Sequence, residues 1–191
     1  MLTRENLYSL ETYASVRKEF RARVIAHKKV RVVELGAHAS IHFEDGLTMQ
    51  YQVQEMLRLE RIYEPDLIQE ELDVYNPLIP DGSNWKATLM FEYPDAVERR
   101  EALSRLGGVE KATYVQVADF ARVTPFANED LDRTTEDKTS AVHFLRFELT
   151  PEMAAAAKHG ALIRVGVDHP QYKSELTLPR ATRDSLAGDL T

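Results

Sequence analysis

Two histidines, His38 and His42, stand four positions apart in the stretch GAHASIHFEDG. On a helix this spacing would bring both imidazoles to one metal ion, because residues four apart are neighbours there. Ile41 and Phe43 alternate with polar residues, and Asp45-Gly46 is a turn signal, so the stretch is predicted to be a strand. Four strand residues span about 13 Å, which two zinc–nitrogen bonds of about 2 Å cannot bridge. The pair is therefore no site by itself, although each imidazole could join groups from a neighbouring strand.

A second set of polar residues lies in the last third of the chain. We select six as a candidate polar or metal site: His143, Arg146, Glu148, Asp168, His169 and Tyr172. Alternation in VHFLRFEL puts His143 on one face of a strand, and Arg146 and Glu148 on the other, where they can pair or line a polar pocket. Asp168, His169 and Tyr172 form the best acid/base-like cluster, at a strand end. The alternative is structural: buried histidines that are satisfied by hydrogen bonds, and ion pairs at the surface.

Several kinds of chemistry lack their signature. The chain has no cysteine, which excludes cysteine-ligated metals and clusters, and leaves any cofactor unknown. No glycine-rich phosphate loop and no Gly-x-Ser-x-Gly motif is found. The acidic stretch that starts at Asp130 has Thr135 and Ala141 where a calcium loop needs Gly and Glu. A hydrolase or a calcium protein of these classes is not supported.

Charge is unevenly distributed. The chain carries a formal net charge of -7, which argues against general nucleic-acid binding, yet residues 17–31 hold seven basic residues and one acid. Arg17, Lys18, Arg21 and Lys28 are the candidate interaction surface for an acidic protein partner. The alternative is that these charges are used internally or are simply solvated.

The periodicities predict an α+β protein that forms a single domain over residues 1–191. We expect a mixed, mainly antiparallel sheet of five or six strands, with helices packed on one face and at the ends. A long amphipathic helix is predicted over about 9–29, and a mobile acidic surface loop over about 127–139. Residues 47–53 fit either a returning hairpin strand or the start of a helix that continues to about residue 63; length and propensity favour the helix.

Neither a membrane span nor an export signal is predicted. No apolar run approaches the roughly 18 residues that a bilayer requires, and the N-terminal residues MLTRENLYSLETY lack the apolar run of a signal peptide. We therefore expect a cytoplasmic protein.

Four phrases resemble an uncharacterised bacterial family, a domain of unknown function: QYQVQEMLRLERI, ELDVYNPLIPDGSNWKATLMFE, RTTEDKTSAVHFLRFEL and VDHPQY. The resemblance covers residues from about 10 to 178, and it transfers no catalytic residue. Genes of that family often lie near genes for rubrerythrin-like proteins and iron–sulfur oxidoreductases, which implies a redox or peroxide-stress context.

Three functions follow as hypotheses. The first is a non-catalytic accessory or binding protein that acts through a protein contact; a homo-oligomer is also compatible with the sequence. The second is a metal- or small-molecule-dependent enzyme that uses the histidines and strand carboxylates. The third is a small-molecule sensor, which would need a preformed apolar pocket.

Overall fold

The computed structural model of the chain describes residues 1–129 and 139–191. Its helices are α1 (Leu10–Lys28), α2 (Gly46–Glu60), α3 (Pro65–Tyr75), α4 (Ala96–Arg105), α5 (Pro151–Lys158) and α6 (Arg180–Ala187). Its strands are β1 (Val32–Glu34), β2 (Ala39–Glu44), β3 (Asn84–Phe91), β4 (Thr113–Val117), β5 (Phe126–Ala127), β6 (Val142–Glu148), β7 (Ile163–His169) and β8 (Tyr172–Thr177). Short 3₁₀ turns precede α1, at Arg4–Asn6, and follow α3, at Asn76–Leu78.

The strands form two antiparallel sheets. The larger sheet has the order β1-β2-β3-β6-β5, and the smaller has the order β4-β7-β8. The α+β class and a five-stranded antiparallel sheet are thus confirmed. The three strands of the second sheet were expected to extend the first one, but β7 pairs only with β4 and β8 among the described strands.

Local signals set the helix boundaries. The Ser9 side chain caps α1 by accepting a hydrogen bond from the Thr12 amide, close to the predicted start of the helix. Asp45 caps α2 through a reciprocal pair of bonds with Thr48, and this capping box turns residues 46–60 into a helix instead of a hairpin. The helical alternative for residues 47–53 is therefore confirmed.

One hydrophobic core joins the two sheets. It contains Ile41, Phe43, Trp85, Leu89 and Phe147 of the larger sheet, packed with Val115, Val117, Ile163 and Val165 of the smaller. Met153, Ala154 and Ala157 of α5 and Leu186 of α6 belong to the same core. Strand β6 lies between β3 and β5, in the interior of the larger sheet.

The first three helices form a separate layer with small apolar clusters of its own. Tyr13, Phe20 and Val24 of α1 form one cluster, and Val53, Leu57 and Leu72 of α2 and α3 form another. Thr48, in the first turn of α2, connects this layer to the larger sheet by donating a 2.7 Å hydrogen bond to the buried carboxylate of Glu44. The sheet face that carries Glu44 is the polar one, and it is the face that positions the candidate site.

Two further expectations concern the described residues only in part. Most of the acidic loop predicted over 127–139 lies outside them, although Ala127 closes β5 and Thr139 is buried. No helix in the described ranges is both long and apolar enough to cross a bilayer.

Candidate functional site: a charged cleft between α3 and the larger sheet

A cleft of about 500 Å³ opens where the C-terminal end of α3 and the following 3₁₀ turn face the polar side of the larger sheet. We call it the α3–β6 cleft. Its lining residues are Asp73, Val74, Tyr75, Pro77, Leu78, Lys86, Glu129, Phe144, Leu145 and Arg146. Most of these side chains are apolar, and the two basic groups come from the strands. Ligand pockets in proteins have this size and this composition.

Two cations stand side by side on the floor of the α3–β6 cleft. Lys86 of β3 and Arg146 of β6 are direct cross-strand partners in the antiparallel register. Directly opposed residues have Cβ atoms about 5 Å apart, and like charges at that separation repel. Burial lowers the pKa of Lys86 below its ordinary value, and the neighbouring Arg146 lowers that pKa further. The two like charges therefore stand at a separation that is unfavourable without compensating carboxylates.

Carboxylates neutralise one of the two cations. Glu129 binds Arg146 with a bidentate pair of hydrogen bonds, 2.8 Å from Nε and 2.6 Å from Nη2. Glu148 pairs with Nη1 of the same guanidinium and also accepts a 3.0 Å bond from the Asn84 amide. The hydrogen bonds from Arg146 lower the pKa of Glu129, and those to Glu129 raise the pKa of Arg146.

Lys86 has no such partner. In the two ranges that the structure describes, its side chain makes no hydrogen bond and no ion pair. The Arg146 guanidinium lies over the Phe126 ring, 4.4 Å from its centroid, which holds Arg146 at the edge strand β5. The cleft thus combines an apolar wall, an arginine whose guanidinium nitrogens all bind carboxylates, and a lysine that has no partner in the described ranges.

The sequence predicts part of this arrangement. Strand alternation puts Arg146 and Glu148 on one strand face, where they can pair or line a polar pocket, and the structure shows the two side chains paired. The six candidate residues do not include Lys86 or Glu129. The available signal for Lys86 was a charged residue within the otherwise apolar strand WKATLMF; no local signal marked Glu129.

His143 lies outside the cleft, on the buried face of β6. The Asn128 side-chain amide bonds to Nδ1 at 3.0 Å and Nε2 bonds to the Ser140 carbonyl at 3.0 Å, so the ring is held from both sides. This arrangement matches the structural alternative of a satisfied core histidine.

The cluster of Asp168, His169 and Tyr172 is divided among three environments. His169 is buried; Nε2 donates to the Gly107 carbonyl at 3.0 Å and Nδ1 accepts from the Gln171 amide. Asp168, on the opposite strand face, pairs at the surface with Arg122 and Lys173, both at 3.2 Å.

Tyr172 connects the smaller sheet to the larger one. Its hydroxyl donates to the Leu35 carbonyl at 2.5 Å and accepts from the Ala39 amide at 3.1 Å. The hydroxyl is therefore directed at the backbone between β1 and β2 and away from His169. A role in positioning the strands accounts for these contacts.

The two histidines of the GAHASIHFEDG stretch also have different partners. His38 stacks on Tyr93 and bonds to the Glu92 carbonyl, whereas His42 bonds to the Ser40 hydroxyl at 3.0 Å. Burial lowers the pKa of His42. Within the described part of the chain, no group of three histidines or carboxylates is placed to hold a metal ion.

The basic run of α1 is used partly inside the protein. Arg17 makes a bidentate pair with Glu55 of α2, at 2.8 and 2.9 Å. Arg31, 1% exposed, binds Asp189 at 2.5 Å and the carbonyls of β2 at 3.0 Å. Lys18 and Arg21 are exposed, Lys28 is half-buried, and none of the three forms an ion pair with another described residue. The free part of the predicted interaction surface is therefore Lys18, Arg21 and Lys28.

Comparison with known proteins gives a family and a relative. The family model described as "Protein of unknown function (DUF3501)" matches residues 1–190. A crystal structure at 1.90 Å, titled a novel protein of unknown function from Burkholderia pseudomallei K96243, is similar with 52% identity and a TM-score of 0.94. The match covers 100% of this chain and 99% of that one. No curated protein matches the chain.

Proposed function

Because the chain belongs to the DUF3501 family, described as proteins of unknown function, its own geometry must suggest its role, and we propose that it binds a small organic anion in the α3–β6 cleft. The ligand class is an amphipathic carboxylate: a compact apolar body with one anionic end. The observation that carries the proposal is the direct cross-strand pairing of Lys86 with Arg146, in which only Arg146 has carboxylate partners among the described residues.

The charged end of the cleft favours an anion. Two adjacent cations repel, and burial disfavours the charged form of Lys86. An anionic oxygen beside the Lys86 ammonium would relieve the repulsion and supply the missing hydrogen-bond acceptor. Arg146 already binds two carboxylates. It therefore attracts the ligand only through its electrostatic field, and Lys86 makes the direct contact.

The walls favour an apolar body. Val74 is 63% exposed, and together with Tyr75, Pro77 and Leu78 it presents hydrophobic surface to the cleft. Covering such surface is favourable by about 25 cal/mol per Å² of apolar area. A polar anion such as free phosphate would leave these walls wet, whereas an aliphatic or aromatic carboxylate would cover them.

Titration calorimetry with phenylacetate and phenylacetamide tests the proposal, because the two molecules have the same shape and differ in charge. Wild-type protein should bind phenylacetate in preference to the amide. Lys86→Met, which keeps the length and apolar part of the side chain, should weaken phenylacetate binding about ten- to a hundredfold, the usual range for loss of a charged hydrogen bond.

Lys29→Met is the matched control, since Lys29 is exposed, lies far along the chain from the cleft and forms no ion pair with a described residue. It should bind phenylacetate like the wild type. Equal binding of the acid and the amide, or equal binding by wild type and Lys86→Met, would contradict the proposal.

We also propose a second function, an accessory role in a redox or peroxide-stress module, with the outward face of α1 as the contact. Its support is the resemblance to a family encoded near rubrerythrin-like and iron–sulfur oxidoreductase genes, together with exposed Lys18 and Arg21, which have no ion partner in the described ranges. An acidic surface on the partner would complement these charges.

Capture of the purified rubrerythrin-like and iron–sulfur proteins from the same organism tests this second role. Arg17 is left unchanged because Arg17→Glu would place two carboxylates together and disturb the fold. The double variant Lys18→Glu/Arg21→Glu should lose capture, while Arg99→Glu/Arg100→Glu, the same charge change on exposed residues of α4, should retain it. Equal capture by both variants would remove α1 from the hypothesis.

A further inference from the structure

A second cavity, of about 700 Å³, lies on the other side of the edge strand β5. Gly108, Glu110 and Lys111 line one wall, and residues 125–128 line the other. We call it the Glu110 cavity. It shares no lining residue with the α3–β6 cleft, although Phe126 in its wall contacts Arg146 of that cleft.

Glu110 is an unusual residue for a cavity wall. The residue is 4% exposed, and its Oε2 atom is buried without a hydrogen-bond partner. The Glu110 side chain forms no ion pair with any described residue. Buried carboxylates are normally paired or hydrogen-bonded, because removing the charge from water is costly. This side chain therefore lacks the partner that its chemistry requires.

The turn before β4 holds Glu110 in this position. The Lys111 amide bonds to the Gly108 carbonyl at 3.0 Å, and Gly108 has a φ of +81°, a conformation that side-chain-bearing residues rarely adopt. This turn sets the backbone position from which the Glu110 side chain projects.

The other groups of the cavity do not satisfy Glu110. The exposed Lys111 makes no ion pair with it in the described ranges, and the Asn128 amide is already used, because Nδ2 donates to His143 and Oδ1 accepts from the Phe144 amide. The Phe126 ring carries the Arg146 guanidinium over one face but is 55% exposed, and its remaining aromatic surface attracts cations. The overall charge of -7 also favours the approach of a cation.

We infer that the Glu110 cavity binds a small organic ammonium ion, with the ammonium group hydrogen-bonded to the Glu110 carboxylate and the alkyl part against Phe126. A metal ion is disfavoured, because the described residues provide no group of three ligands there. An ammonium needs only one carboxylate and tolerates an apolar surface along its chain.

Titration with n-butylammonium chloride tests the inference, with 1-butanol as the neutral analogue and sodium chloride to match ionic strength. Butylammonium should bind wild-type protein saturably and shift the amide NMR signals of residues 108–111 and 125–128. Glu110→Gln keeps the shape of the side chain and removes its charge. It should weaken binding about ten- to a hundredfold, as expected for loss of a charged hydrogen bond.

Glu19→Gln is the matched control, because Glu19 is exposed and has no ion partner in the described ranges. It should bind butylammonium like the wild type. A second variant, Phe126→Ala, changes an exposed side chain and should weaken binding severalfold without unfolding the protein. NMR shifts confined to other residues, equal binding of butanol, or unchanged binding by Glu110→Gln would each overturn the inference.

Discussion

The ion pair between α1 and α2 gives a quantitative prediction. Glu55 accepts both hydrogen bonds of Arg17, a 2.7 Å bond from the Tyr13 hydroxyl and a 3.1 Å bond from Arg58. The bond from Arg17 is the largest cause that lowers the pKa of Glu55, from the ordinary 4.5 to about 2. Glu55→Gln removes the charge and keeps the shape, so it isolates the electrostatic contribution of the pair.

The magnitude follows from the pKa of Glu55. One pKa unit corresponds to about 1.4 kcal/mol, so the full lowering of the Glu55 pKa would add about 3.4 kcal/mol to the free energy of unfolding at neutral pH. Arg17 and Arg58 are each 37% exposed, and solvent weakens their interaction with Glu55. We therefore expect Glu55→Gln to lower the free energy of unfolding by about 2 to 3 kcal/mol at pH 7.

The pH dependence has a defined sign. The pKa of Glu55 is lower in the folded protein, so its stabilising contribution is complete above pH 4.5 and is lost as the pH falls from 4.5 towards 2. Urea unfolding of wild type and Glu55→Gln at pH 7, 5, 4 and 3 should therefore show a stability difference that shrinks below pH 4.5.

Glu19→Gln, at an exposed position of α1, is the control and should change stability by less than about 0.5 kcal/mol. A Glu55→Gln difference that stays constant from pH 7 to pH 3 would refute the reasoning. A constant difference would mean that packing or hydrogen bonding by the uncharged group, and not ionisation, accounts for the effect.

Four further predictions concern burial, backbone conformation and charge. Arg31→Leu should lower the free energy of unfolding, measured in urea, by about 3 to 5 kcal/mol, because the largely buried carboxylates of Asp45 and Asp189 lose the Arg31 cation. Tyr172→Phe should lower the free energy of unfolding by about 1 to 2 kcal/mol, since the Leu35 carbonyl loses its donor. Gly36→Ala should also destabilise the protein, because the φ of Gly36 is +85° and the new Cβ would lie 2.8 Å from the Tyr172 hydroxyl. Phenylacetate binding should weaken as the pH rises through the lowered pKa of Lys86, because only the ammonium form attracts the anion; calorimetry between pH 7 and 10 measures this.

The histidines show what residue type alone leaves open. The sequence selects His143 and His169 for a candidate polar or metal site, and in the structure the ring nitrogens of both are engaged with backbone or amide groups. A histidine in a strand has no sequence feature that distinguishes a ligand from a satisfied core residue, because its partners come from distant parts of the chain. His169, for example, bonds to Gly107, 62 positions away.

The basic run shows the same limit for charge. Arg17, Lys18, Arg21 and Arg31 look alike in the sequence, and all add to the same positive stretch. Their surroundings differ completely: Arg17 is paired, Lys18 and Arg21 are exposed, and Arg31 is almost fully buried. Arg31 is held by Asp189, which lies 158 positions further along the chain.

The sequence by itself determined the elements whose causes are local. Ser9 and Asp45 cap α1 and α2, and strand alternation correctly separated His143 from Arg146 on the two faces of β6. Tertiary structure alone decided which strands share a sheet, that Lys86 stands beside Arg146, and that Glu110 is buried without a partner. The reason is physical: caps and periodicity act over three or four residues, whereas strand register and the burial of a charge depend on contacts between residues that are distant in sequence.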